Sequence, residues 1–99
     1  MERLIHKVIV WAEDKGILEK SSPLKQHVKT QEEVNELLAA LVDNDREEII
    51  DAIGDILVTL IIQAELNDLT VEDCLSSAYE VIGKRQGKMV NGLFVKNAE

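Results

Sequence analysis

Cysteine is nearly missing from this chain: Cys74 is alone among 99 residues, which rules out an internal disulfide and leads us to expect an intracellular protein. One proline and five glycines are too few turn formers for a fold whose strands reverse every 8–12 residues or so. Aromatics are equally scarce, with one each of Trp, Tyr and Phe. No long hydrophobic run exists. The longest, Ile56 to Ala64, is interrupted by Thr59 and Gln63 and reaches only about half of the ~20 residues that cross a bilayer. At the start, His6, Lys7, Glu13 and Asp14 break any apolar stretch that could serve as a signal peptide. Positive charge is also in deficit: 11 Lys and Arg stand against 19 Asp and Glu, a net charge of −8. Such a surface repels nucleic acid polymers and anionic membranes at long range. It still admits a small polyphosphate whose charge is neutralised by metal ions.

What is present is Leu, Ile, Val and Ala, within a hydrophobic content of 45%. At this length that supports one core, and the composition favours packed helices. We therefore expect an all-α protein, residues 1–99 forming a single domain of four helices with a short irregular or hairpin tail. Leu4, Ile5, Val8, Ile9 and Ala12 recur at helical spacing from Met1 to Lys15, and Gly16 suits a left-handed stop. Ser22-Pro23 reads as an N-cap and first helical position, opening a second helix to Asp43. Asp45, with Glu48 three residues on, starts a third helix that runs to about Leu66. The short connection makes these two antiparallel neighbours. Thr70 caps a fourth helix from Val71 to about Lys84. The tail from Gln86 to Glu99 places Asn91-Gly92 between two short apolar runs, a hairpin signal.

The third helix is apolar on most sides between Ile53 and Ile62, which predicts a central position inside the domain or at a subunit interface. Asp51 and Asp55 lie on it. Burying such carboxylates unpaired is costly, so a cation or donors are expected nearby. On the second helix Glu32, Glu33 and Glu36 stand at spacings of one, three and four, where like charges repel when solvated. Oxygen-only ligands at short spacing suit Mg²⁺, with Mn²⁺ as an alternative, rather than zinc. A simple solvated face explains the second-helix glutamates equally well. It explains Asp55, set within Ile53-Gly54-Asp55-Ile56-Leu57-Val58, less well.

Glu32-Glu33-Val34-Asn35-Glu36-Leu37 resembles the EExxE motif of the MazG-like all-α nucleoside triphosphate pyrophosphohydrolases, and Asp51-Ala52-Ile53-Gly54-Asp55-Ile56-Leu57-Val58 resembles the helix carrying their ExxD motif. Trp11-Ala12-Glu13, Lys15-Gly16-Ile17-Leu18, Pro23-Leu24-Lys25-Gln26 and the segment Gly87 to Lys96 extend the likeness to the short phage and Gram-positive members. Ala52 departs from the pattern, standing where the family's first ExxD glutamate belongs. Asp51 is the neighbouring carboxylate that could replace it, and Glu48-Ile49-Ile50-Asp51 is a second possible alignment.

The resemblance implies Mg²⁺-dependent cleavage between the α and β phosphates of a nucleoside triphosphate, giving monophosphate and pyrophosphate. It implies Glu33, Glu36, Asp51 and Asp55 as metal ligands and Glu32 as the residue that orients or deprotonates water. Lys25, Lys29, Lys84, Arg85 and Lys88 are candidate phosphate contacts, and Trp11 is a candidate base-stacking residue. A cytoplasmic homodimer or homotetramer is expected. Deoxyuridine triphosphate and phosphoribosyl-ATP are specialised substrates of related enzymes. A catalytically silent helical interaction module with the same fold is the alternative that Ala52 keeps open.

Overall fold

The computed structural model describes residues 1–97. Ala98 and Glu99, the end of the expected tail, lie outside the described residues. The chain forms α1 (Glu2–Asp14), α2 (Ile17–Lys20), α3 (Pro23–Asp43), α4 (Arg46–Leu66), α5 (Val71–Ile82) and a hairpin of β1 (Gly87–Val90) with β2 (Leu93–Lys96). The architecture is the expected all-α bundle with a hairpin tail, plus one element that periodicity does not reveal. That element is α2, a single turn bounded by Gly16 and Ser21, too short to show a repeat of 3.6.

The caps form where the sequence places them. Gly16 takes φ 75°, a left-handed geometry that ends α1 and turns the chain into α2 without Cβ strain. The hydroxyl of Ser22 accepts from the Lys25 amide at 3.3 Å, with Pro23 in the first turn. Asp45 Oδ1 accepts from the Glu48 amide at 3.3 Å, and Thr70 Oγ1 from the Asp73 amide at 3.1 Å. Each satisfies an otherwise unpaired N-terminal donor. The fourth expected helix closes at Ile82, so Lys84 and Arg85 fall in the turn that follows.

Helix α4 is the centre, touching α1, α2, α3 and α5. It runs antiparallel to α3: Gln63 Nε2 donates to the Pro23 carbonyl at 2.9 Å, and Gln26 Nε2 to the Thr59 carbonyl at 3.1 Å. The core is made of small and branched residues, namely Ile5, Ala12, Ala40, Ala52, Ile61, Ile62 and Ala64. Its location shows which side of α4 faces inward. The stripe that is purely apolar, with Ile50, Ile53, Leu57 and Leu60, is exposed, whereas the mixed stripe holding Ala52, Thr59 and Ile62 is buried. Asp51 and Asp55, expected to be buried on this central helix, are exposed in the single chain, because they lie where the α3–α4 contact opens to solvent. Small side chains at Ala40 and Ala52 let helices approach closely, and the larger residues are left facing outward.

Asn91 (φ 51°) and Gly92 (φ 82°) both adopt positive φ, as a two-residue turn matched to strand twist requires. Met89 pairs with Phe94 and Val90 with Leu93. A Cβ on Gly87 would collide with the Val95 carbonyl and lie 2.7 Å from Phe94 Cζ, so the Phe94 ring occupies the place of the missing side chain. Among the described residues the hairpin touches no helix.

Candidate functional site

Helix α3 carries Gln26, Lys29, Glu33 and Glu36 at spacings of three and four, which puts them on one stripe. Antiparallel packing brings Asp55 of α4 to the same level. One carboxylate oxygen from each of Glu33, Glu36 and Asp55 lies within 4.8 Å of the others. Glu33 is buried at 7% exposure while Glu36 and Asp55 are exposed. Glu33 Oε1 faces Lys29 Nζ at 3.3 Å, but the buried Oε2 has no hydrogen-bond partner. A buried ionised oxygen left unpaired is unfavourable, and a hard cation is the partner that a three-carboxylate group fits.

The electrostatics agree. Glu36 is held above the usual carboxylate range, first by hydrogen bonding with Glu33 and then by the negative charge of Glu33. Lys29 is raised from its ordinary value, first by its hydrogen bond to Glu33 and next by that to Glu32. Lys29 is thus the site's internal counter-ion, lying 3.4 Å from Glu32 Oε2 as well.

Beside the carboxylates is a cavity of about 250 Å³, walled by Trp11, Ile17, Val58 and Ile62 and lined also by Gln26, Lys29, Glu33, Asp55 and Thr59. Of the residues expected from sequence, the fold gathers Glu33, Glu36 and Asp55 into one cluster and brings Lys29 and Trp11 to the cavity. Trp11 is half-exposed there. Glu32 is solvent-facing and paired with Lys29. Asp51 stands one turn before Asp55, exposed and outside the three-carboxylate group. Lys25 is exposed on α3. Lys84 and Arg85 precede the hairpin, Lys88 is within it, and none of the three lines the cavity. Ala52, at the family's glutamate position, is buried.

Several lining residues escaped the sequence reading. Gln26 lies seven residues before Glu33 on the same stripe, and Thr59 interrupts the longest apolar run. Their polarity was legible in the sequence, but the burial of their faces was not.

The phosphoribosyl-ATP pyrophosphohydrolase family matches residues 13–81, a span that contains every carboxylate of the cluster. The chain belongs to that family. It is also 38% identical over 69 residues to an uncharacterized 18.2 kDa protein in the rep-hol intergenic region of Haemophilus phage HP1 (strain HP1c1). That match covers 70% of this chain and 42% of the phage protein's length. No solved structure matches. The matched family is named for pyrophosphohydrolase activity on phosphoribosyl-ATP. Among the described residues, no helix is long and apolar enough to cross a membrane.

Proposed function

We propose that this chain is a Mg²⁺-dependent nucleoside triphosphate pyrophosphohydrolase of the short MazG-like type. Water attacks the α phosphorus, the α–β anhydride bond breaks, and the products are nucleoside monophosphate, pyrophosphate and a proton. The observation that carries this reading is the buried, unpartnered Oε2 of Glu33 within the group it forms with Glu36 and Asp55. Those three residues would hold the cation, with Asp51, next to Ala52 in sequence, as the replacement ligand. A bound divalent ion there supplies charge neutralisation for the polyphosphate and lowers the pKa of water.

The chain's own groups do the remaining work. Lys29, already between Glu32 and Glu33, is the cation best placed to turn toward phosphate oxygens, and Glu32 is then freed to orient the attacking water and accept its proton. Trp11 provides a ring face for the base. Lys25, Lys84, Arg85 and Lys88 stand further off, and their contribution would be electrostatic attraction of the substrate or contact across an assembly.

The working form is a cytoplasmic homo-oligomer, a dimer or tetramer. Ile53, Leu57 and Leu60 on α4, Leu75 and Tyr79 on α5, and Met89 and Phe94 on the hairpin are all at least 41% exposed in the single chain. Apolar surface so extensive is characteristic of an interface. Pyrophosphate release from a panel of ribo- and deoxynucleoside triphosphates, with Mg²⁺, Mn²⁺ or chelator, tests the proposal. Release should depend on metal and fall by about 10²-fold or more in Asp55→Ala. No release from any nucleotide would favour the silent interaction module, for which the buried Ala52 is the supporting feature.

A further inference from the structure

A two-stranded hairpin with nothing packed on it is marginal in water, yet β1 and β2 touch no helix among the described residues. Their register sorts the side chains into two faces. Lys88, Val90, Leu93 and Val95 share one, and Gly87, Met89, Phe94 and Lys96 the other. The second face is partly closed on itself, because the Phe94 ring lies over Gly87. The first is open, with Val90 40%, Val95 48% and Leu93 71% exposed. Such a ribbon calls for a covering surface.

Charge marks the kind of surface. Residues 84–97 carry four Lys and Arg and no acid, whereas residues 1–83 carry seven Lys and Arg against eighteen Asp and Glu. A basic apolar ribbon is complementary to an acidic apolar face, and α5 presents one. It is the only helix among the described residues with acids, Glu72, Asp73 and Glu80, and no Lys or Arg. None of its residues is buried. Leu75, Tyr79 and Ile82, at spacings of four and three, form a stripe along it and are 70%, 67% and 52% exposed. The hairpin follows α5 after residues 83–86 but does not fold back onto it, so the α5 it can cover belongs to another molecule. The area agrees. A folded chain of this mass exposes about 5,700 Å², and this one exposes 8058 Å², a surplus larger than the ~800 Å² that a stable partner covers on each side.

We propose that the hairpin is an exchanged arm. Its face of Lys88, Val90, Leu93 and Val95 lies on the Leu75, Tyr79 and Ile82 stripe of α5 in a second copy of this chain, with Lys88 against Glu72 and Glu80 there, and the second copy returns the contact. A nucleic acid polymer, the other acidic occupant, is repelled by the body that carries the arm. The inference rests on the homo-oligomer reading given above and names the contact that makes it.

The test uses the full chain. Unlabelled and isotope-labelled protein are mixed until subunits exchange, then treated with a water-soluble carbodiimide, which joins lysine to carboxylate where the two form an ion pair. Lys88 should couple to Glu72 or Glu80, and the linked peptides should include pairs with one labelled and one unlabelled member. Same-label pairs alone would put the arm on its own chain, and no link from Lys88 to α5 would put it elsewhere; either result overturns the proposal. Leu93→Ser with Val95→Ser should raise the dissociation constant in sedimentation equilibrium about tenfold or more, with helical circular dichroism retained. Should that variant lose its helices, charge decides. Lys88→Glu in one chain, and Glu72→Lys with Glu80→Lys in another, should each associate more weakly alone and recover when mixed in equal amounts, because every arm then meets an α5 of opposite charge. No recovery on mixing overturns the exchange even where an oligomer persists. A native chain that sediments as a monomer overturns both the arm contact and the homo-oligomer reading.

Discussion

Lys29 Nζ lies 3.3 Å from Oε1 of the buried Glu33, one turn away on the same helix, and is the only cation among the described residues in salt-bridge contact with the carboxylate cluster. The pair sets the resting charge state of the site. Half-exposed lysine can swing away at little cost, so this contact suits a group that must give up its carboxylate to another cation.

Replacing that lysine should expose what it does. In Lys29→Met the buried Glu33 carboxylate loses its counter-ion, and thermal unfolding in chelator is expected to fall by a few degrees. Mg²⁺ should restore more stability to the variant than it adds to the native protein. An equal Mg²⁺ increment in both proteins would refute the counter-ion role.

Protons and metal should compete for the cluster. Glu36 is raised by hydrogen bonding with Glu33, so its folded pKa lies above its unfolded one. Its protonated form therefore favours folding at pH below the unfolded value, and this contribution disappears as pH rises through the folded value. At neutral pH the cluster repels itself, and a divalent ion relieves the repulsion. The Mn²⁺-induced rise in melting temperature should be several degrees at pH 7.5 and shrink steadily toward pH 5. A rise that is flat or grows on acidification would count against Glu36 as a ligand.

The exposed stripe of α4 should be an assembly surface. Leu57→Glu, or Ile53→Glu with Leu57→Glu, places charge on residues that are 46% and 48% exposed in the single chain, so a monomer would tolerate it. Sedimentation velocity is expected to show the native oligomer replaced by a smaller species in the variants. An unchanged sedimentation coefficient would mean that this stripe faces solvent.

Gly16 connects backbone geometry to the cavity. Its φ of 75° lies between Trp11 on α1 and Ile17 on α2, two walls of the cavity. A Cβ there would find its nearest neighbour, Lys20 Cδ, at 3.7 Å, so Gly16→Ala is penalised by backbone conformation and not by crowding. Denaturant unfolding should show a loss of about 1–2 kcal/mol, with a shift in Trp11 emission. Gly54→Ala, at a helical position with open space, should instead be neutral or stabilising.

Much of this protein is determined within a few residues of chain. Ser22, Asp45 and Thr70 cap their helices, Asn91-Gly92 reverses the hairpin, and Glu33 with Glu36 shares a helical stripe, because capping, turn chemistry and the 3.6-residue repeat are local. The tertiary structure alone decided which face of α4 is buried, and it chose the mixed stripe over the apolar one. It also set Asp55, and not Asp51, beside Glu33 and Glu36. In the same way it made Gln26 a buried amide tied to Thr59, 33 positions away. Those outcomes depend on the rotation and register of α3 against α4, which are fixed by close packing of side chains far apart in sequence, and no local periodicity encodes them.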